Sequence, residues 1–207
     1  MEFLDYYDEN GKLLGKETRE VIHTKGLWHK TVHCWLYDGL GNVYFQLRKD
    51  MKDNTNKMYT TASGHVAAGE TLRQAFAREV KEEIGIDVDI NACQLVEMTV
   101  WKMDMQKKDG NVVKDRAYAN VYASKIGNSL PKFLFSDGEV LGIMKVSAKE
   151  ALELLKKESG SISAIKIDAK NKTQQVKITM DNFLINPTEI GIIKYGKILQ
   201  FVMNETK

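Results

Sequence analysis

The chain has 207 residues, 43% hydrophobic and 28% charged, which is the composition of a folded globular protein rather than a disordered one. Its formal net charge of +2 provides no global field for a nucleic-acid polymer or an anionic membrane. Two cysteines, Cys34 and Cys93, are too few for a disulfide framework or a zinc site. With no signal-peptide pattern and no membrane-length apolar run, these features predict a cytoplasmic protein with Cys34 in the core of a strand.

The first 27 residues are predicted to form a β-ribbon that packs on the core. Asn10 and Gly11 supply a turn signal between two stretches in which polar and apolar residues alternate. A strand is predicted from Trp28 to Tyr37, where β-branched and aromatic residues are frequent. The turn "DGLGN" and the following "VYFQLR" complete a hairpin.

A helix is predicted between Thr71 and Gly85. Thr71 is a suitable N-cap with Gln74 at the N3 position, and Gly85 is a suitable terminating residue. At helical spacing one apolar stripe faces the core, formed by Leu72, Phe76, Val80 and Ile84.

The remaining segments predict a mixed α/β (α+β) fold. "ACQLVEMTVWKMDM" and "RAYANVYAS" alternate like antiparallel strands around the turn "KKDGN". A helix is predicted over "SAKEALELLKKE", with Ser147 as N-cap and Glu150 in the capping-box position. The tail reads as β-structure in "AIKIDA", "QQVKITM" and "KYGKILQFV". We therefore expect a ribbon over residues 1–27, a main domain over 28–158 and a β-rich extension over 159–207.

The predicted helix carries a cluster of acidic residues beside its apolar stripe. Glu79, Glu82 and Glu83 are separated by three and four residues, so their carboxylates lie on neighbouring turns of one surface. These like charges repel each other unless a cation lies among them. Three carboxylates suit Mg²⁺, with Mn²⁺ as the alternative, far better than zinc. Such an ion indicates a substrate that carries phosphates.

The segment around this helix resembles the Nudix box, G-x5-E-x7-R-E-U-x-E-E-x-G-U, where U is a bulky aliphatic residue. Every fixed position matches: Gly64, Glu70, Arg78, Glu79, Val80, Glu82, Glu83, Gly85 and Ile86. The resemblance implies a loop–helix–loop inside a Nudix-type α/β/α sandwich. It also implies hydrolysis of a diphosphate that is linked to another moiety, X.

The resemblance assigns roles to individual residues. Glu79, Glu82 and Glu83 would bind the metal ion together with the backbone carbonyl of Gly64. The general base would be Glu79 or Glu139, which lies in a later loop where Nudix hydrolases often supply another carboxylate.

Two further box residues would act indirectly. Arg78 and Glu70 would orient the glutamates, so losing either one is expected to weaken metal binding.

A wider similarity, from about Asp5 to Leu155, extends to the Nudix branch that includes type I isopentenyl-diphosphate isomerase. Those isomerases have a protonating cysteine where this chain has Ser63, and their box is typically degraded, which favours a hydrolase here. His29 and His65 resemble isomerase metal ligands. His23 is only near the position of the first ligand histidine, for which the sequence offers no convincing counterpart.

Basic residues before the box are candidates for substrate binding. Arg48 and Lys52 resemble the pair that holds the diphosphate in the isomerase branch, and their charge suits an anion. His65 is a candidate for contacting the substrate or ordering the box loop. Glu97 and Asp115 are weaker candidates for the site.

Three hypotheses remain open from the sequence. The leading one is a Mg²⁺-dependent hydrolase of a phosphoanhydride in a nucleoside-diphosphate-linked or related small diphosphate substrate. The alternatives are an isopentenyl-diphosphate isomerase and a protein that senses a nucleotide without turning it over. A homodimer is the default expectation because it is the commonest symmetric oligomer.

Overall fold

A computed structural model of the chain describes residues 1–49, 57–106, 110, 112–135, 138, 140–157, 159–184 and 190–207, with residues 190–194 described by their backbone alone. Lys52, Glu139 and most of the "KKDGN" turn lie outside the described residues.

The described residues form one sheet of eleven strands. The strands are β1 (Phe3–Tyr7), β2 (Leu13–Thr18), β3 (Trp28–Asp38), β4 (Asn42–Arg48), β5 (Lys57–Tyr59), β6 (Ala62–His65), β7 (Gln94–Gln106), β8 (Val112–Ile126), β9 (Val140–Ser147), β10 (Ile162–Asp168) and β11 (Thr173–Ile178). The main path runs β11-β10-β9-β4-β3-β1-β2, while β5 pairs with β4, β6 and β8 pair with β3, and β7 pairs with β8. Strand β3 pairs in parallel with β8 and antiparallel with β4 and β6, so the sheet is mixed.

Helices cover both faces of this sheet. They are α1 (Arg19–Lys25), α2 (Leu72–Ile84), α3 (Ala148–Lys157) and α4 (Ile190–Glu205), and a 3-10 turn spans Met180–Asn182. Successive residues of a strand point to opposite faces. Accordingly, Leu36 of β3 belongs to the core cluster under α2, whereas its neighbours Trp35 and Tyr37 belong to the cluster that contains α3 and α4. The predicted α/β/α sandwich is confirmed.

The local signals around α2 and α3 operate as the sequence predicted. The Thr71 hydroxyl accepts a hydrogen bond from the Gln74 backbone N–H, and the Gln74 side chain accepts one from the Thr71 N–H. Gly85 ends α2 with φ at 75°, a conformation that favours glycine. At the start of α3, the Ser147 hydroxyl accepts a hydrogen bond from the Glu150 N–H.

Two predictions of secondary structure were wrong. Residues 19–25 form α1, capped by Thr18 and by Gly26 in the left-handed region, where only a ribbon had been expected. The "KYGKILQFV" segment lies in α4 instead of a strand. Its buried residues, Tyr195, Ile198, Leu199 and Val202, recur at helical spacing and pack in the core with α3. The burial of this stripe outweighs the strand preference of the individual residues.

Cys34 is fully buried in β3, as predicted, and Cys93 is buried as well. Within the part of the chain that the structure describes, no helix is long and apolar enough to cross a membrane.

Candidate active site

The segment before α2 is tied to the sheet by backbone pairing. In β6, Gly64 lies opposite Val32 of β3. The loop that follows is held by two carboxylates, since Asp5 accepts a hydrogen bond from Gly69 N–H at 2.8 Å and Glu70 accepts one from Ala67 N–H at 3.0 Å. The loop therefore enters α2 in a fixed orientation.

The absence of a side chain at Gly64 makes room for Glu79. A β-carbon at Gly64 would lie 2.0 Å from Oε1 and 2.4 Å from Oε2 of Glu79. Glu79 is only 8% exposed, so its carboxylate lies between the β6 backbone and the body of α2. This close approach is the physical reason for a glycine at the first position of the box.

Arg78 connects the acidic residues of the site. Its guanidinium donates to both oxygens of Glu70, at 2.9 and 3.0 Å, which is a bidentate pair. It also donates to the His65 carbonyl at 2.8 Å, to Glu79 Oε1 at 2.7 Å and to Glu82 Oε2 at 3.1 Å. The guanidinium of Arg78 thereby fixes the loop before α2 and two of the three carboxylates of α2, those of Glu79 and Glu82.

The pKa values of Arg78 and Glu79 are both raised, which favours the charged form of the arginine and the neutral form of the glutamate. The hydrogen bond to Glu70 is the main cause that raises the pKa of Arg78, which keeps the guanidinium charged. Burial raises the pKa of Glu79, and the neighbouring Arg78 opposes that rise. A partly buried carboxylate with a raised pKa gains from an additional cation beside it.

Glu83 has its own positioning residue. Its Oε2 accepts a hydrogen bond from Gln46 Nε2 at 2.7 Å, and Gln46 is a nearly fully buried residue of β4. Sequence reasoning missed Gln46, although a polar residue inside the strand pattern "VYFQLR" was the available signal. Glu82 differs from the other two glutamates because its side chain is 60% exposed.

Several of the predicted site residues line one groove of about 1020 Å³. Gly64, Glu79, Glu83, Arg48 and His65 all contribute to it. The structure thus brings Arg48 to the carboxylates. Lys52 and Glu139 lie outside the described residues.

Three histidines meet beside the groove, which His23 and His65 line and behind which His29 is fully buried. The Nε2 atoms of His23 and His65 are 3.3 Å apart, and one ring nitrogen from each of His23, His29 and His65 lies within 4.8 Å of the others. His29 Nε2 is 3.6 Å from Asp115 Oδ1, and both atoms are buried without a hydrogen-bond partner in the described structure. The sequence offered no convincing counterpart of the first ligand histidine of the isomerases; α1, which the sequence did not predict, brings His23 against His29 and His65.

These histidines can offer nitrogen lone pairs. Burial lowers the pKa of His29, and burial together with the nearby Arg19 lowers the pKa of His65 to about 2. Neutral imidazoles are ligands for zinc and other transition metals, whereas the carboxylates of α2 suit a hard ion such as Mg²⁺. The groove therefore contains two donor sets of different chemistry.

An acidic helix that faces a groove of about 1020 Å³ is an arrangement that suits a polyanionic substrate and a divalent ion. Residues 27–165 match the NUDIX domain family, and the chain belongs to that family. It is a Nudix hydrolase, an enzyme that acts on phosphoanhydride bonds.

Known proteins resemble the chain over most of its length. It is 29% identical over 199 residues to an uncharacterized Nudix hydrolase of Clostridium acetobutylicum. This alignment covers 94% of this chain and 92% of that protein. It is 27% identical to Nudix hydrolase 3 of Arabidopsis thaliana over 162 residues, or 76% of this chain and 21% of that protein. A crystal structure of a Deinococcus radiodurans protein superposes with a TM-score of 0.51 at 18% identity, covering 77% of this chain and 91% of that one. This last likeness shows the fold alone.

Substitutions that disrupt the hydrogen bonds between Arg78 and Glu70 are expected to lower metal affinity and to leave the protein folded. Arg78→Lys keeps the charge but removes the fork that holds Glu70, and Glu70→Gln removes the other half of the pair. Each change is expected to weaken metal binding about 10–100-fold. A Mn²⁺ titration followed by electron paramagnetic resonance measures this affinity. Arg73→Lys on the exposed surface of α2 is the control, and equal affinity in all three variants would contradict a positioning role.

Proposed function

We propose that the chain is a Mg²⁺-dependent pyrophosphohydrolase that cleaves the phosphoanhydride of a nucleoside-diphosphate-linked or related small diphosphate substrate. The observation that carries this proposal is the convergence of Gly64, Glu79 and Glu83 on one groove that also contains the cation of Arg48. Carboxylates can hold the metal ion there, and a guanidinium can hold a phosphate.

The donor set fits the proposed ion. Glu79, Glu82 and Glu83 would hold Mg²⁺ together with the Gly64 carbonyl, and Mn²⁺ would take the same ligands. Burial raises the pKa of Glu79, and a cation bound beside it would favour its charged form. When bound, the ion would supply neutralisation of phosphate charge and activation of water.

The remaining residues bind, orient and move a proton. Arg48, together with Lys52, would hold the diphosphate, and His65 would contact the substrate beside the box loop. The base that takes the proton of the attacking water would be Glu79 or Glu139. Glu79 is supported by its place in the lining of the groove, where its carboxylate can reach a water molecule beside the substrate.

A release screen tests the proposal. Phosphate and pyrophosphate are measured with and without Mg²⁺ over nucleoside di- and triphosphates, dinucleoside polyphosphates, nucleotide sugars, coenzyme A, NADH and small alkyl diphosphates. We expect Mg²⁺-dependent release from at least one compound, and the compound identifies X. Tight nucleotide binding without any release would instead support a protein that only senses its ligand.

An isomerase is the second candidate, and the histidine cluster is the observation that favours it. His29 and His65 resemble metal ligands of the isomerase branch, and His23 lies beside them, so that one ring nitrogen from each of the three lies within 4.8 Å of the others. Ser63 opposes this candidate because a hydroxyl is a far weaker acid than the thiol of those isomerases. Incubation with isopentenyl diphosphate in deuterated water decides the matter. A deuterium-labelled isomer would support the isomerase, whereas phosphate release without isomerisation would support the hydrolase.

Two broader expectations remain predictions. Light scattering of the purified protein tests the homodimer, and fractionation of cells tests the cytoplasmic location.

A further inference from the structure

A second cavity, of about 310 Å³, opens beside the groove. The two spaces share four lining residues, which form their common mouth: Thr31, His33, Ser63 and Asp115. The cavity therefore adjoins the groove, so a group attached to a phosphate in the groove would lie next to it.

The sheet face that carries α4 builds this cavity. Thr31, His33 and Trp35 alternate along β3, and the residues Asp115 to Val121 at every second position of β8 lie on the same face. Ala117 and Ala119 are at most 2% exposed, and their short side chains leave the depth of the cavity open.

The walls of the cavity are mainly apolar and aromatic. Trp35 and Trp101 line it from the sheet, and Leu184 and Tyr195 close it from the C-terminal part of the chain. The Tyr195 hydroxyl is directed at backbone, since it lies 3.1 Å from the Leu184 carbonyl and 3.3 Å from the Met58 carbonyl. Beyond the shared mouth, the described lining has no charged side chain.

This chemistry limits what the cavity can bind. A group with several hydroxyls would lose its hydrogen bonds with water on entry and find few replacements, which is unfavourable. An apolar group would lose only its contact with water. The volume lies at the lower end of the ~300–1,000 Å³ range of ligand pockets, which fits a single small group.

We propose that this cavity binds the X group of the substrate and that X is an uncharged hydrocarbon chain or ring. The inference rests on the proposed function, because the groove must hold the diphosphate for the cavity to receive X. Of the two substrate classes in the proposed function, an apolar cavity favours small organic diphosphates over substrates linked to a nucleoside diphosphate. It also gives Leu184 and, in α4, Tyr195 a role in substrate selection.

A ladder of n-alkyl diphosphates from methyl to octyl tests the proposal. The diphosphate is constant along the ladder, so kcat/KM reports the contribution of the chain. We expect kcat/KM to rise about threefold to fourfold for each added methylene until the cavity is full. A flat profile together with faster turnover of a nucleotide sugar would overturn the proposal.

Two substitutions test whether the cavity causes the dependence of kcat/KM on alkyl chain length. Ala119→Leu fills its floor and is expected to lower the ratio of octyl to methyl turnover, whereas Trp101→Ala enlarges it and is expected to raise that ratio. Val100→Leu is the matched control, since Val100 is 54% exposed on the opposite face of β7, and its ratio should equal that of the wild type. Thermal melts verify that each variant is folded. Wild-type ratios in both folded cavity variants would contradict the proposal.

Binding of inert analogues separates this inference from the proposed function. Alkyl methylenediphosphonates cannot be hydrolysed, so calorimetry measures their affinity even if the chain turns nothing over. Affinity that rises with chain length, with a negative heat-capacity change, would support the apolar cavity. If polar diphosphates are hydrolysed but analogue affinity is independent of chain length, the proposed function stands and this inference fails.

Discussion

Glu83→Gln is expected to remove metal-dependent hydrolysis and leave the fold intact. The substitution deletes one of the negative charges that would hold the ion, while the amide oxygen can still accept the hydrogen bond from Gln46 that Glu83 Oε2 now accepts at 2.7 Å. Loss of ion and water activation should lower kcat by roughly 10²–10⁴-fold. Glu82→Gln should have the same effect on kcat.

Both variants are expected to be at least as stable as the wild type. Each removes like-charge repulsion along α2, and the exposed Glu82 side chain has little packing to lose. Chemical denaturation measures the free energy of unfolding. Glu153→Gln on the exposed surface of α3 is the matched control for removing a helical carboxylate, and its kcat should be unchanged. A Glu83→Gln variant that unfolds would show that the carboxylate has a structural role, and one that retains full turnover would contradict its role in holding the ion.

Gly64→Ala is expected to disable the site through a single methyl group. The new β-carbon would lie 2.0 Å from Glu79 Oε1, so the carboxylate must leave its position and stretch or break its 2.7 Å hydrogen bond with Arg78. A displacement on the order of 1 Å can cost about 10²-fold in rate. The free energy of unfolding should change little, since only the end of a flexible side chain has to move.

A double-mutant cycle shows whether Glu79 transmits this effect. In a Glu79→Gln background most of the activity is already lost, so adding Gly64→Ala should cost much less than it does in the wild type. Gly127→Ala is the control, because a β-carbon there meets no atom within 4 Å. Additive losses of activity would place the damage elsewhere in the loop.

The parts that the sequence predicted correctly depend on neighbours along the chain. The limits of α2 follow from Thr71, Gln74 and Gly85, and the clustering of Glu79, Glu82 and Glu83 follows from helical spacing. A motif that lies within 23 consecutive residues, Gly64 to Ile86, needs no knowledge of the rest of the fold.

The parts that the sequence did not predict depend on packing between distant segments. His23 meets His65 only because α1 packs beside β6 and β8, and Gln46 reaches Glu83 only because β4 passes under α2. The helix α4 was missed for a different reason: the helical spacing of Tyr195, Ile198, Leu199 and Val202 was present in "KYGKILQFV", but only the packing with α3 shows that these four residues form the buried stripe. The apolar cavity combines side chains from β3, β7, β8 and α4, so it exists only in the assembled fold.

The most direct test of the central claim is phosphate release by the wild type and by Glu83→Gln during a Mg²⁺ titration that starts from EDTA. We expect no release in EDTA, saturable release as Mg²⁺ is added to the wild type, and release at least about 100-fold slower with the variant at every Mg²⁺ concentration. Release that is independent of Mg²⁺, or equal in the two proteins, would contradict it.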